Sequence, residues 1–124
     1  MTKAEGATRV DDFLPLSRVD FLVLLVLTDG DRHGYGIVME IGERTEGRIQ
    51  LLPGNLYSVM NRLTKSGLVD RAPEDPQRDP ENRRRRYYRI TPLGQRALAA
   101  EASDLSTLVQ EAAARDLLKT ETPV

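Results

Sequence analysis

The chain has no cysteine, no tryptophan, a single histidine, and only two Phe and four Tyr. Without cysteine there are no disulfides, no thiolate zinc sites and no cysteine nucleophile; this agrees with a reducing compartment. The lone histidine, His33, has no second His or Cys with which to share a metal. It reads as a cap, a packing group or a phosphate contact rather than a catalytic base. No carboxylate pair, no nucleophile beside a base and no phosphate-cradling glycine loop stands out. An enzyme is therefore not expected, and neither a metal nor a cofactor is implied. Long apolar runs are missing too. The longest, Phe21 to Leu27, falls far short of the roughly 20 residues needed to cross a bilayer. Residues 1–12 lack the shape of a signal peptide. The expectation is a cytoplasmic protein with no membrane contact.

Positive charge is also not in excess: 18 Lys and Arg stand against 19 Asp and Glu, a net of −1. That total hides an asymmetry. Residues 1–47 carry 5 basic and 9 acidic side chains, residues 48–91 carry 10 and 5, and residues 92–124 carry 3 and 5. Binding a polyanion requires a local patch, not a basic whole, and the patch lies in the middle segment. A length of 124 residues with 40% apolar content fits one small domain with an extension.

The middle segment contains the most informative stretch, Pro53 to Gly67. Leu56, Val59, Met60 and Leu63 fall at i, i+3, i+4 and i+7, one apolar stripe of a helix. The opposite face carries Tyr57, Ser58, Asn61, Arg62 and Lys65 and no carboxylate. Amides and hydroxyls suit base edges, and cations suit phosphate. Pro53 fits an early helical position, and Gly67 fits the residue just past the end.

The first dozen residues read as part of a flexible arm over 1–15, with Phe13, Leu14 and Leu16 free to pack. Ser17 then resembles an N-cap, with Asp20 three residues on. The apolar run behind it fits a buried helix or a buried strand by period alone, and the cap favours helix. A helix apolar on all sides must be covered on all sides, which points to a partner subunit. After Asp29-Gly30-Asp31, a second helix opens at His33-Gly34-Tyr35-Gly36 and stops at Gly47. Arg48 to Leu51 alternates and reads as a very short strand. Leu68 to Arg71 reads as another, residues 72–82 as a loop, and Tyr87 to Ile90 as the returning strand. Arg83, Arg84, Arg85 and Arg86 stand at the base of this hairpin, four like charges that repel unless an anion is near. Thr91-Pro92 starts a last helix over 92–118. Leu98, Ala102, Leu105, Val109 and Ala112 keep a 4-3-4-3 heptad spacing that ends at Asp116. Together with the length of that helix, the spacing predicts a dimerisation surface, with Leu93 and Leu108 turned toward the globular part and residues 119–124 frayed.

The order is helix, helix, short strand, helix, basic hairpin, long helix. It predicts a mainly α fold with a small β-hairpin: a winged helix-turn-helix over residues 16–91, followed by a C-terminal dimerisation helix. In that architecture the third helix enters the major groove and the wing touches backbone or minor groove.

Leu24-Leu25 with Asp29-Gly30, His33-Gly34-Tyr35-Gly36-Ile37, Leu52-Pro53-Gly54-Asn55-Leu56-Tyr57, Ser66-Gly67-Leu68-Val69, Arg85 to Thr91 and Leu93-Gly94 resemble the PadR family of bacterial transcriptional regulators, over about residues 16–100. The resemblance is to the short subgroup with a single C-terminal helix. It implies a homodimeric repressor whose Pro-Gly-x-Leu-Tyr helix reads DNA, so Asn55, Tyr57 and their outward neighbours match DNA-contacting positions. His33, Gly34 and Tyr35, at the start of the supporting helix, are further contact candidates. Asn55 replaces the small residue common in the family, which bears on operator preference. Some members bind aromatic effectors through a tryptophan that this chain lacks. The expected action is binding of double-stranded DNA at a pseudo-palindromic operator, with Asn55, Ser58 and Asn61 reading bases and Tyr57, Arg62 and Lys65 setting register. A small apolar effector would sit between Phe13, Phe21 and the C-terminal helices, and Phe21 joins the heptad residues in the dimer interface. The alternative is a winged module kept for protein interaction without DNA.

Overall fold

The computed structural model describes residues 9–75, 77–78 and 85–119. Five helical segments and three short strands follow one another around a single core. Val10–Phe13 forms a 3-10 turn seated on the last helix. Val10, Phe13 and Leu16 pack against the core, and the Leu16 N–H donates to Glu101 Oε1 at 3.0 Å. The end of the expected arm is therefore docked, because its apolar side chains find cover and its backbone finds a carboxylate.

Ser17 caps α1 (Arg18–Leu27), its hydroxyl oxygen accepting from the Asp20 N–H at 3.1 Å. Val23, Leu24, Val26 and Leu27 are buried, while Leu25 reaches solvent. The cap thus settles helix over strand for the apolar run. Arg32–His33 forms β1 and leads without a break into α2 (Gly34–Arg44), which buries Ile37 and Ile41. The chain then turns through Glu46 and Gly47, both at positive φ.

Residues 48–51 are irregular, not the expected strand. The Thr45 hydroxyl accepts from the Ile49 N–H at 3.1 Å and donates to the Ile41 carbonyl at 2.8 Å. A local side chain thus satisfies backbone that a ladder would have used. The strand position belongs to β1, which pairs antiparallel with β3.

α3 (Pro53–Lys65) begins with Pro53 in its first turn and buries Leu56, Met60 and Leu63. It ends in a Schellman turn. Gly67 adopts φ 81°, Gly67 N–H donates to Thr64 O at 3.1 Å, and Leu68 N–H donates to Leu63 O at 3.1 Å. β2 (Val69–Arg71) and β1 flank β3 (Tyr87–Ile90) in one antiparallel sheet, order β1-β3-β2. Val69 faces Ile90, Arg71 and Arg32 both face Tyr88, and His33 faces Tyr87.

Thr91 caps α4 (Pro92–Ala114), accepting from the Gly94 N–H at 3.0 Å and donating to the Gly67 carbonyl at 2.6 Å. One hydroxyl ties the start of α4 to the end of α3. The helix stops at Ala114, short of the expected 118. Asp116 takes a left-handed φ of 58°, and Leu117 N–H returns to Ala112 O at 3.0 Å, closing a second Schellman turn on a residue that tolerates that conformation. Gly94, Ala97, Leu98 and Glu101 are buried. Beyond Glu101 nearly every residue of α4 is exposed in the single chain.

Candidate nucleic-acid interface

α3 presents Asn55, Tyr57, Ser58, Asn61, Arg62 and Lys65 to solvent. The last five, with Ser66, line an open surface groove. The face is outward because the opposite stripe of Leu56, Met60 and Leu63 is buried, and no carboxylate lies on the helix. Ser58 donates back to the Gly54 carbonyl at 3.3 Å, a weak bond that leaves its lone pairs outward.

Arg62 differs from its neighbours. Its Nη1 and Nη2 donate to the two carboxylate oxygens of Asp20 at 2.7 and 2.8 Å. The hydrogen bond to Asp20 raises the Arg62 pKa above its ordinary value; partial burial opposes it, and the Asp20 charge adds a smaller upward push. The Asp20 side chain is 8% exposed and the Arg62 side chain 56%. An exposed pair contributes about 0–1 kcal/mol. Breaking a fully buried one costs roughly 3–5 kcal/mol. A half-wet pair falls between those limits.

The start of α2 joins this face to the wing. His33 Nδ1 accepts from the Gly36 N–H at 3.0 Å, capping the helix. Its ring meets the Tyr87 ring edge-on at 5.2 Å, and Nε2 lies 3.1 Å from Arg85 Nη1. A neutral imidazole has one donor and one acceptor, so with Nδ1 accepting its proton is on Nε2. The cap and an Arg85 hydrogen bond thus compete for one tautomer. Gly34 permits close approach to α3, since a Cβ there would stand 3.0 Å from Leu56 Cδ2. Tyr35 is exposed. His33→Ala is expected to lower stability by about 1 kcal/mol through the lost cap, while His33→Asn, which keeps a capping acceptor, recovers most of it. Chemical denaturation of the two variants is the check.

Of the wing arginines, Arg85 and Arg86 are exposed, and Arg83 and Arg84 lie outside the described residues. Arg78 stacks over the Tyr87 ring at 4.5 Å and reaches Asp31 at 3.3 Å, holding the loop against the body. Among the described residues, Arg48, Lys65, Arg71 and Arg86 make no ion pair, whereas Arg32 and Arg44 are engaged by Glu40, with Asp29 also on Arg44. Two further groups belong to this face without a motif that marks them: Arg71, an exposed cation beside the wing, and Asp20, whose place three residues after Ser17 reads as a capping signal.

The expected interface residues divide. Leu98 is buried in the chain's own core and Phe21 is half-buried against it. Ala102, Leu105 and Val109 are exposed, and Ala112 is half-exposed. Leu108, expected to turn toward the globular part, is 59% exposed instead. The stripe left open on α4 is thus Leu105, Leu108, Val109 and Ala112, at i, i+3, i+4 and i+7.

Three helices, with a wing whose central strand is flanked on both sides, define a winged helix-turn-helix. The transcriptional regulator PadR-like family matches residues 23–100 of the chain. A protein of Lysinibacillus sphaericus with no assigned role is 32% identical over 99 residues, 75% of this chain and 88% of its own length. A transcriptional regulator of Mycobacterium tuberculosis is 32% identical over 83 residues, 67% of this chain and 71% of its own. A crystal structure of a PadR family transcription regulator from Clostridium difficile shares the fold at TM-score 0.67 and 23% identity, covering 77% of this chain and 95% of that one. The chain belongs to the PadR-like family of transcriptional regulators, whose members are not enzymes. Among the described residues, no helix is long and apolar enough to cross a membrane.

Proposed function

We propose that this regulator acts in the cytoplasm as a homodimeric repressor, placing two α3 helices in successive major grooves of a pseudo-palindromic operator. The observation that carries the reading is the outward face of α3, exposed, free of carboxylates and rich in amide, hydroxyl and cationic groups. Asn55, Ser58 and Asn61 read base edges, with Asn55 suited to adenine. Tyr57, Lys65 and the wing arginines, Arg83 to Arg86, hold phosphate. His33, Gly34 and Tyr35 bring the start of α2 to the same backbone. The open stripe of α4 favours a second copy, whose matching stripe would cover Leu105, Leu108 and Val109. A small apolar effector fits best beside Phe13 and Phe21, which are half-buried next to α4.

The test is selection of bound sequences from a random duplex pool, with light scattering of the free protein. A palindromic consensus with half-sites about one helical turn apart, bound by a dimer, is expected. A module serving only protein interaction would enrich no sequence and bind no duplex in a salt-dependent way.

A further inference from the structure

Lys65 and Arg62 sit on one face of α3, three residues apart, yet their charges are placed differently. Lys65 makes no ion pair among the described residues. Arg62 is closed on Asp20 by two bonds, at 2.7 and 2.8 Å, across 42 residues of sequence. Among the described residues, this is the one side-chain hydrogen bond or ion pair from α3 to another element. The other end of the helix is set by the close approach of Gly34 to Leu56.

Resting on the DNA-binding reading above, we propose that Asp20, on a helix that does not enter the groove, is a determinant of DNA binding. It turns Arg62 from a phosphate cation into a neutralised, oriented donor that fixes the angle of α3. Handing Arg62 over to a phosphate would strand a carboxylate with 8% exposure, which is strongly unfavourable. Sharing is open instead: a guanidinium has five N–H donors in a fixed fork, and Asp20 engages two of them. A neutral pair offers geometry and hydrogen bonds to the duplex without releasing counterions, so it contributes little to salt dependence. Two cations on one face thus have separate tasks: Lys65 attracts and Arg62 aligns.

The experiment measures log K against log salt for the full chain on a selected operator and on random duplex. Lys65→Gln is expected to flatten the slope by about 0.9, the value for one phosphate contact. Arg62→Gln is expected to flatten it by less than half as much while lowering the preference for operator over random duplex. Asp20→Asn, which frees the cation, is expected to steepen the slope by up to about 0.9 and strengthen binding to random duplex. Adding Arg62→Gln to Asp20→Asn should return the slope to that of Arg62→Gln alone. An Arg62→Gln slope that falls as far as that of Lys65→Gln overturns the proposal, as does an Asp20→Asn slope equal to wild type. If Asp20→Asn does not fold, the comparison of Arg62→Gln with Lys65→Gln decides alone; if Arg62→Gln, which strands the Asp20 carboxylate, does not fold, the double variant Asp20→Asn/Arg62→Gln takes its place in that comparison. Failure of the DNA-binding reading has a different signature: the wild type itself shows no salt-dependent binding to any duplex, and the proposal falls with it.

Discussion

Gly94→Ala is expected to lower the midpoint of thermal unfolding by roughly 10–15 °C. Gly94 is buried in the first turn of α4, where the helix crosses the end of α3. A Cβ there would collide with the Leu68 carbonyl oxygen and stand 2.8 Å from Ile90 Cγ1. The obstacle is backbone that cannot step aside: Leu68 O already accepts from the Thr91 N–H, and Leu68 N–H is bonded to Leu63 O. Overpacking costs about 1–3 kcal/mol where side chains can adjust, and a fixed carbonyl puts this site at or above the top of that range. Alanine returns up to about 1 kcal/mol of helix propensity, too little to reverse the sign. Gly42 makes the contrast. A Cβ there meets nothing within 4 Å, so the same change in α2 should leave stability unchanged or raise it by up to about 1 kcal/mol. Calorimetry of both variants separates a packing requirement from a general effect of glycine. A Gly94→Ala protein as stable as wild type would mean that the junction of α3 and α4 moves freely.

The second large effect concerns the wing. Replacing Arg85 and Arg86 together with alanine should flatten the salt slope of DNA binding by about 1.8 and weaken binding on the order of 30-fold at 0.15 M salt. Both are exposed, and both immediately precede β3. Like charges adjacent in sequence are stable beside a polyanion because their neutralisation releases condensed counterions. Fluorescence anisotropy over a salt series reads slope and affinity at once. An unchanged slope would remove the wing from the mechanism.

What could be read from the sequence was local. Ser17 and Thr91 announced helix starts because a hydroxyl meets the N–H three residues on, and both do so here. Pro53 and Gly67 bracketed α3 through backbone preferences that need no neighbours. The polar face of α3 followed from period alone. What stayed hidden depends on partners distant in sequence. Alternation at residues 48–51 reads as a strand, yet those residues are irregular and two residues at Arg32–His33 supply the third strand, paired with β3; a strand that short has no pattern to detect. The Asp20–Arg62 pair joins residues from different helices, and nothing in either neighbourhood foretells it. Heptad spacing carries no information on depth: Leu98 lies inside the chain's own core, and the outward stripe of α4 runs through Leu108.

α4 is one unbroken rod shared by the head and the open stripe. Between Gln95 and Ala114 it contains neither glycine nor proline, the residues at which helices most readily kink. In the proposed dimer, two heads carried on such rods form a caliper without a joint. The gap between the jaws is set where the rods meet, so the distance between half-sites is gauged as strictly as their base sequence. An added base pair carries the second half-site about 35° around the duplex axis, and a jointless rod cannot swing to follow it. The same stiffness makes release simple: a small change in the angle between the rods takes both heads out of register together.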